Sequence, residues 1–157
     1  MIDVVAKTYR TTLIRRVGNV AISGAVKLGI APSYYVLLSI RGRRSGVERT
    51  IPIRLMRHDG QEWFVAPYGV RDWVHNARAA GEAVVRRGRR SRRVRLTEVS
   101  AAVAAPVLAA YARKEPVTRP FFDARVGGPV SAFEAEADRH PVFRVENLQV
   151  NGGAGPR

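Results

Sequence analysis

Between Tyr34 and Val99 the chain is cut into short apolar or alternating runs by glycine-bearing turns, and this spacing constrains the fold more than any other feature. Runs of this length rich in aromatic and branched residues are strands rather than helices. Tyr34–Ile40 (YYVLLSI) reads as a buried strand. From Ile51 the pattern alternates, with Ile51, Ile53 and Leu55 on one face and Pro52, Arg54 and Met56 on the other. Pro52 cannot donate to a ladder, so that strand either lies at an edge or begins there. Asp59-Gly60 predicts a tight hairpin, and Glu62–Ala66 (EWFVA) is the returning strand. The three together predict an antiparallel meander.

Asp72 is the expected N-cap of a helix through Trp73, Asn76, Ala77 and Ala80, and Gly81 its stop. Ala83–Arg87 and Arg92–Val99 predict a second strand pair with Gly88 at the turn. Ala101–Arg113 reads as a helix that Pro106 kinks or starts. An irregular stretch holding Phe121 and Phe122 follows, then a short helix at Ser131–Arg139 and a closing strand at Pro141–Glu146. The fold class is therefore α+β, a small and largely antiparallel barrel of about six strands with helices around it. Three segments are expected: an N-terminal helical one over 1–32, a barrel domain over 33–150, and a glycine-rich disordered tail over 151–157.

The N-terminal segment mixes basic and apolar positions, with Val5, Tyr9, Leu13 and Val17 four residues apart. Either it packs on its own domain or it lies on an anionic membrane surface. Asn19, Ser23 and Lys27 interrupt its most apolar stretch, which argues against a membrane span, and Arg15 and Arg16 fall where a cleaved leader needs apolar residues.

Charge narrows the partners. Lys and Arg number 27 against 13 acidic residues, a formal net charge of +14 that favours phosphates, anionic lipids or nucleic acid without choosing between them. The run Arg86–Arg93 (RRGRRSRR) sits on a hairpin with few aromatics for base stacking, so a solvated or lipid-facing edge is expected there and nucleic acid is not. With no cysteine and three scattered histidines, thiolate chemistry and a metal centre are not expected.

The stretch Arg41–Arg54 (RGRRSGVERTIPIR) carries the chemistry. Gly42 and Gly46 bracket Arg43, Arg44 and Ser45, so a sharp bend can turn backbone N–H groups towards one point beside two guanidiniums. That makes a phosphate receptor; the alternative is a turn whose arginines face water. The Gly-Lys-Ser/Thr ending of a nucleotide-binding loop is absent.

Three ordered blocks, GRRSGVERTIPI, VAPYG and RDWVHNARAAGEAVV, together resemble the deazaflavin-dependent nitroreductase family, which uses coenzyme F420 in a split β-barrel. The resemblance is close over about residues 33 to 99. It implies that Arg43, Arg44, Ser45 and Gly46, with Val47 and the following Arg49, hold the cofactor's phosphate. It sets Val65, Ala66, Pro67 and Tyr68 beside the ring system and Trp73, Val74, His75 and Asn76 on the helix that completes the site. Pro67 stands where a serine is usual and Val74 where a tyrosine is usual. Tyr111, Phe121, Phe122 and Phe133 are the aromatic candidates for the acceptor side, and no catalytic acid is identified.

The implied activity is that of a coenzyme F420-dependent oxidoreductase, passing a hydride from the reduced deazaflavin to a quinone, enone or nitro compound. FMN is the less favoured cofactor. A deazaflavin carrier without turnover and a basic membrane or nucleic-acid adaptor are the alternatives. The expected location is the cytoplasm, with the inner face of the cell membrane as a peripheral contact.

Overall fold

The computed structural model describes residues 13–149. The elements, in order, are α1 (Leu13–Lys27), β1 (Tyr35–Arg41), β2 (Glu48–Arg54), β3 (Met56–His58), β4 (Gln61–Val65), α2 (Asp72–Ala80), β5 (Glu82–Arg87), β6 (Arg90–Glu98), α3 (Ala101–Lys114), α4 (Val130–Ala135) and β7 (Val142–Asn147). Short 3-10 turns at Pro116–Phe121 and Ala137–Arg139 flank α4. The strands form one seven-stranded sheet in the order β2-β1-β5-β6-β7-β4-β3, every pairing antiparallel. The sheet curls into a half-barrel with helices outside it.

The expected meander is corrected by this order. β1–β2 and β3–β4 are separate hairpins at opposite edges of the sheet, and β7 enters beside β4 and β6. Leu55 N–H still bonds to Tyr34 O at 2.8 Å, which extends the β1–β2 ladder by one rung, and β3 begins at the next residue on the opposite edge of the sheet. Pro52 does lie on an edge strand, and Asp59 (φ 52°) and Gly60 (φ 72°) make the hairpin turn. The N-cap of α2 is Arg71 rather than Asp72, because the Arg71 carbonyl already accepts from Val74 and His75. Asp72 becomes the first helical residue, where a carboxylate still suits the positive end of the helix. Pro106 neither starts nor breaks α3, which runs without interruption; the proline and Ala102, whose carbonyl loses its donor, both face water.

Three apolar layers hold the fold. Alternate residues of β1 (Val36, Leu38, Ile40) point into the half-barrel and meet Phe64, Val74, Val94 and Phe143. On the outer face, α3 and α4 pack Leu108, Tyr111 and Phe133 against Met56, Trp63 and Val142. The end of α1 is also seated on the sheet, with Val26 fully buried against Leu37 and Ala31. Each such fully buried side chain stabilises by about 1.5–3 kcal/mol. Over this half of the helix the packed alternative is therefore the observed one; Val5 and Tyr9 lie outside the described residues, as does the tail from Asn151. No helix among the described residues is long and apolar enough to cross a membrane.

Candidate active site

The β1–β2 turn is built by two backbone bonds: Gly42 N–H donates to Val47 O at 2.8 Å and Gly46 N–H to Gly42 O at 2.9 Å. Gly46 takes φ 69°, and a Cβ on Gly42 would sit 3.0 Å from both Ser45 Oγ and Val47 O, so neither position tolerates a side chain without strain. The Ser45 hydroxyl accepts from Val47 N–H at 3.2 Å. Between the glycines, the N–H groups of Arg44 and Ser45 have no protein partner among the described residues.

Arg43 and Arg44 then part company. Asn76, 4 % exposed on α2, accepts through Oδ1 from both Arg43 N (3.1 Å) and Arg43 Nη1 (2.9 Å), and Asp72 Oδ1 accepts from Nη2 at 3.3 Å. Arg43 is thus a strap from the loop to the helix. Arg44 and Arg49 are exposed and, among the described residues, their side chains make no hydrogen bond or ion pair.

Loop, β1 and α2 together bound an open groove of about 730 Å³. Of the residues that the sequence suggested, Arg43, Arg44, Ser45, Arg49, Trp73 and Asn76 line it. Trp73 presents a half-buried indole packed on Phe143 at 5.6 Å. Gly46 and Val47 shape the turn without lining the groove. Gly42, Leu38, Ile40, Glu48, Thr50, Ile51 and Asp72 are additions. A register argument reaches several of them, since a turn over 43–46 sets Leu38 opposite Ile51 and Ile40 opposite Arg49.

The other candidates lie elsewhere. Val74 is fully buried in the barrel core, so the missing phenol there faces no groove, while His75 points to solvent. Both follow from the turn of α2: Asn76 and Ala77 face the sheet and carry Val74 with them, leaving His75 outside. Val65, Ala66 and Pro67 are buried, their backbone fixed by Ala66 N–H to Pro141 O at 2.9 Å. Tyr68 is half-buried and meets the Phe121 ring edge-on at 4.9 Å. Phe122 packs in the outer core against Phe133, tilted at 6.0 Å, and against His140 at 4.3 Å, and Phe133 is 1% exposed, which leaves it no face for a ligand. Tyr111 is buried too, and that burial, with Tyr68 nearby, pushes its phenol well above the usual range. It is neutral at any physiological pH.

A phosphate-bearing cofactor fits this groove. Arg44, Ser45 and Arg49, which line the groove, bring two N–H groups and two guanidiniums with no protein partner among the described residues, and a hydroxyl, beside a glycine-bracketed turn. The sequence profile of the F420H(2)-dependent quinone reductase family matches residues 9–117, more than half of the chain. The chain belongs to this family. It is accordingly an F420-dependent oxidoreductase, and its cofactor is coenzyme F420.

No curated protein matches the chain at a significant level. Among solved structures, an F420-H2-dependent reductase, FDR-A, is 23% identical over 73% of this chain and 95% of its own, with a TM-score of 0.46. The protein Atu2129 of Agrobacterium tumefaciens, of unknown function, is 16% identical and covers 96% of this chain and 64% of its own, with a TM-score of 0.52. The heme storage protein HutZ of Vibrio cholerae is 8% identical over 82% and 91%, with a TM-score of 0.51. The likeness to the last two is one of fold.

Proposed function

We propose that this family member holds the phosphate of F420 at the Gly42–Gly46 turn, through the N–H groups of Arg44 and Ser45 and the guanidinium of Arg44, with Arg49 alongside. The observation that carries this reading is the contrast inside one dipeptide. Arg43 is bonded to Asn76 and Asp72, while Arg44 and the two N–H groups beside it are unpaired over the groove. An anion completes what the turn leaves open.

The protein's part in the reaction is positioning and electrostatics. Asn76 fixes the turn through Arg43, and Trp73 supplies an apolar wall to the groove. When bound, reduced F420 supplies a hydride from carbon 5 of its deazaflavin. An electron-poor acceptor of the quinone class would take that hydride and then a proton, which solvent supplies; the two carboxyl groups that line the groove, Glu48 and Asp72, are exposed, and Asp72 is paired with Arg43. Enones and nitro compounds are acceptors of the same electronic kind.

Titration of the purified chain with F420, with FMN alongside, tests the cofactor assignment. Steady-state assays with a panel of quinones, using cofactor deuterated at carbon 5, test the transfer. Deuterium in the reduced acceptor is the expected result. Rates equal to the protein-free control across the panel, with F420 still bound, would make the chain a carrier instead.

A further inference from the structure

The half-barrel has a second open end. Val36, Leu38 and Ile40 share the inward face of β1; Leu38 and Ile40 line the groove described above, whereas Val36 belongs to a separate concavity of about 820 Å³ at the strand's beginning. Along β1 the nearest lining residues of the two, Val36 and Leu38, are two positions apart, roughly 7 Å. The floor of this second cavity is apolar, made by Val36, Leu55 and Val85, and its rim is strongly basic, with Arg57, Arg87, Arg89, Arg90 and Arg92 against the single carboxylate of Glu62.

Those arginines are not equivalent. Glu62 is already shared between Arg92 (2.6 Å) and Arg57 (3.4 Å), and Arg87 is turned onto backbone carbonyls. The side chains of Arg89 and Arg90, at the tip of the β5–β6 hairpin, are exposed and make no hydrogen bond or ion pair among the described residues. The pinned arginines form walls; the two free ones present donors at the mouth. A ligand that is anionic at one end and apolar at the other would satisfy both parts, and a bare anion would leave the floor wet.

We propose that this end of the barrel binds a single-chain amphiphilic anion, its carboxylate or phosphate head held by Arg89 and Arg90 and its alkyl stem lying on Val36, Leu55 and Val85. The site is separate from the cofactor groove and does not depend on the reading of that groove. The cavity volume falls within the range of small-molecule sites, about 300–1,000 Å³. Charge complementarity selects the sign of the head group, because the rim carries a surplus of positive charge even after Glu62 is counted.

Calorimetric titration of the full chain with monomeric octyl phosphate, butyl phosphate, inorganic phosphate and octyltrimethylammonium tests the proposal. Octyl phosphate should bind about 100-fold more tightly than inorganic phosphate, with butyl phosphate between them, as burial of successive methylenes requires. The octylammonium cation should not bind. The double variant Arg89→Ala/Arg90→Ala should weaken octyl phosphate by about ten- to a hundredfold and leave the F420 titration unchanged. The proposal is overturned if chain length makes no difference, if the double variant binds octyl phosphate as well as the parent, or if F420 displaces it. Binding to anionic vesicles without binding of the monomeric amphiphile would also overturn it, by showing surface adsorption only.

Discussion

The two arginine-rich turns of this chain, GRRSG between β1 and β2 and RRGRRSRR across the β5–β6 hairpin, look alike in sequence and do different things. At the first, one arginine in two is tied down and the other is left beside bare N–H groups. At the second, four of the six arginines have an internal partner: Arg86 donates to Gly88 O (2.9 Å), Arg87 to the carbonyls of Ala31 (2.7 Å), Pro32 (2.9 Å), Tyr35 (3.1 Å) and Gly29 (3.5 Å), Arg92 bonds Glu62 and Asn147, and Arg93 bonds Glu82. The hairpin expected to be a solvated or lipid-facing edge is in part a structural clamp on the end of α1. What separates the two turns is the number of unsatisfied acceptors within reach. The α1–β1 connection offers carbonyls that no strand or helix completes, and a planar fork of donors is the group that can collect several of them.

Arg87→Ala should therefore have the largest effect of any single arginine in the hairpin. It strips donors from carbonyls that are partly withdrawn from water, and a loss of about 3 kcal/mol in unfolding free energy is expected, read as a lowered urea midpoint. Affinity for F420 should stay within about twofold, because the loop at Arg43–Ser45 is untouched. An unchanged midpoint would mean that water replaces the guanidinium at no cost and that the clamp is incidental.

The first turn should respond the other way. Arg44→Ala should weaken F420 binding by about ten- to a hundredfold, the value of one charge-assisted hydrogen bond, with little change in the urea midpoint. Arg44→Lys should recover part of the loss, since it keeps the charge and loses the fork. Arg90→Ala removes the same charge at the far end of the barrel and is the control. Equal weakening by Arg44→Ala and Arg90→Ala would reduce the receptor to bulk electrostatics.

Some of this was legible before any coordinates. Glycines and the Asp59-Gly60 pair marked the turns, alternation marked the strands, and Pro52 marked an edge, because each of these signals is local. Strand order was not legible: nothing within β2 or β3 says that the two hairpins will lie at opposite edges with β7 beside β4. For the site, the three sequence blocks named the loop and the helix, yet they treated Arg43 and Arg44 as equals. The difference depends on Asn76, 33 residues away, reaching one of them and not the other. Likewise the aromatic candidates Phe122 and Phe133 carry no local sign that α4 turns Phe133 inward against Phe122 and buries both in the outer core.

Asn76→Ala probes that link and should give a smaller, mixed effect. Without Oδ1, both Arg43 N–H and its guanidinium lose an acceptor in a part-buried setting, and roughly 1–2 kcal/mol of stability should go with them. F420 binding should weaken about tenfold as the turn loses its tether to α2. Asn76→Asp keeps an acceptor and adds charge opposite Arg43, so it should retain most of both properties. If Asn76→Ala leaves F420 binding intact, Arg43 is not what holds the turn in place.

The smallest effect is expected at Arg93, and it completes the contrast with Arg87 within the same eight-residue run. Arg93 Nη2 lies 2.8 Å from Glu82 Oε1, a shorter contact than most made by Arg87, yet both side chains are more than half exposed, at 62% and 52%. Water competes for each charge, the pair must hold two long side chains still, and exposed pairs contribute about 0–1 kcal/mol. Arg93→Ala should move the urea midpoint by less than about 0.5 kcal/mol equivalent, and added salt should remove even that difference. A loss comparable to that of Arg87→Ala would show that neither exposure nor the number of acceptors collected ranks the arginines in this hairpin. A null result at Arg93 beside a large one at Arg87 would show that two residues of the same type, six positions apart in one charged run, differ only in what the fold has brought to meet them.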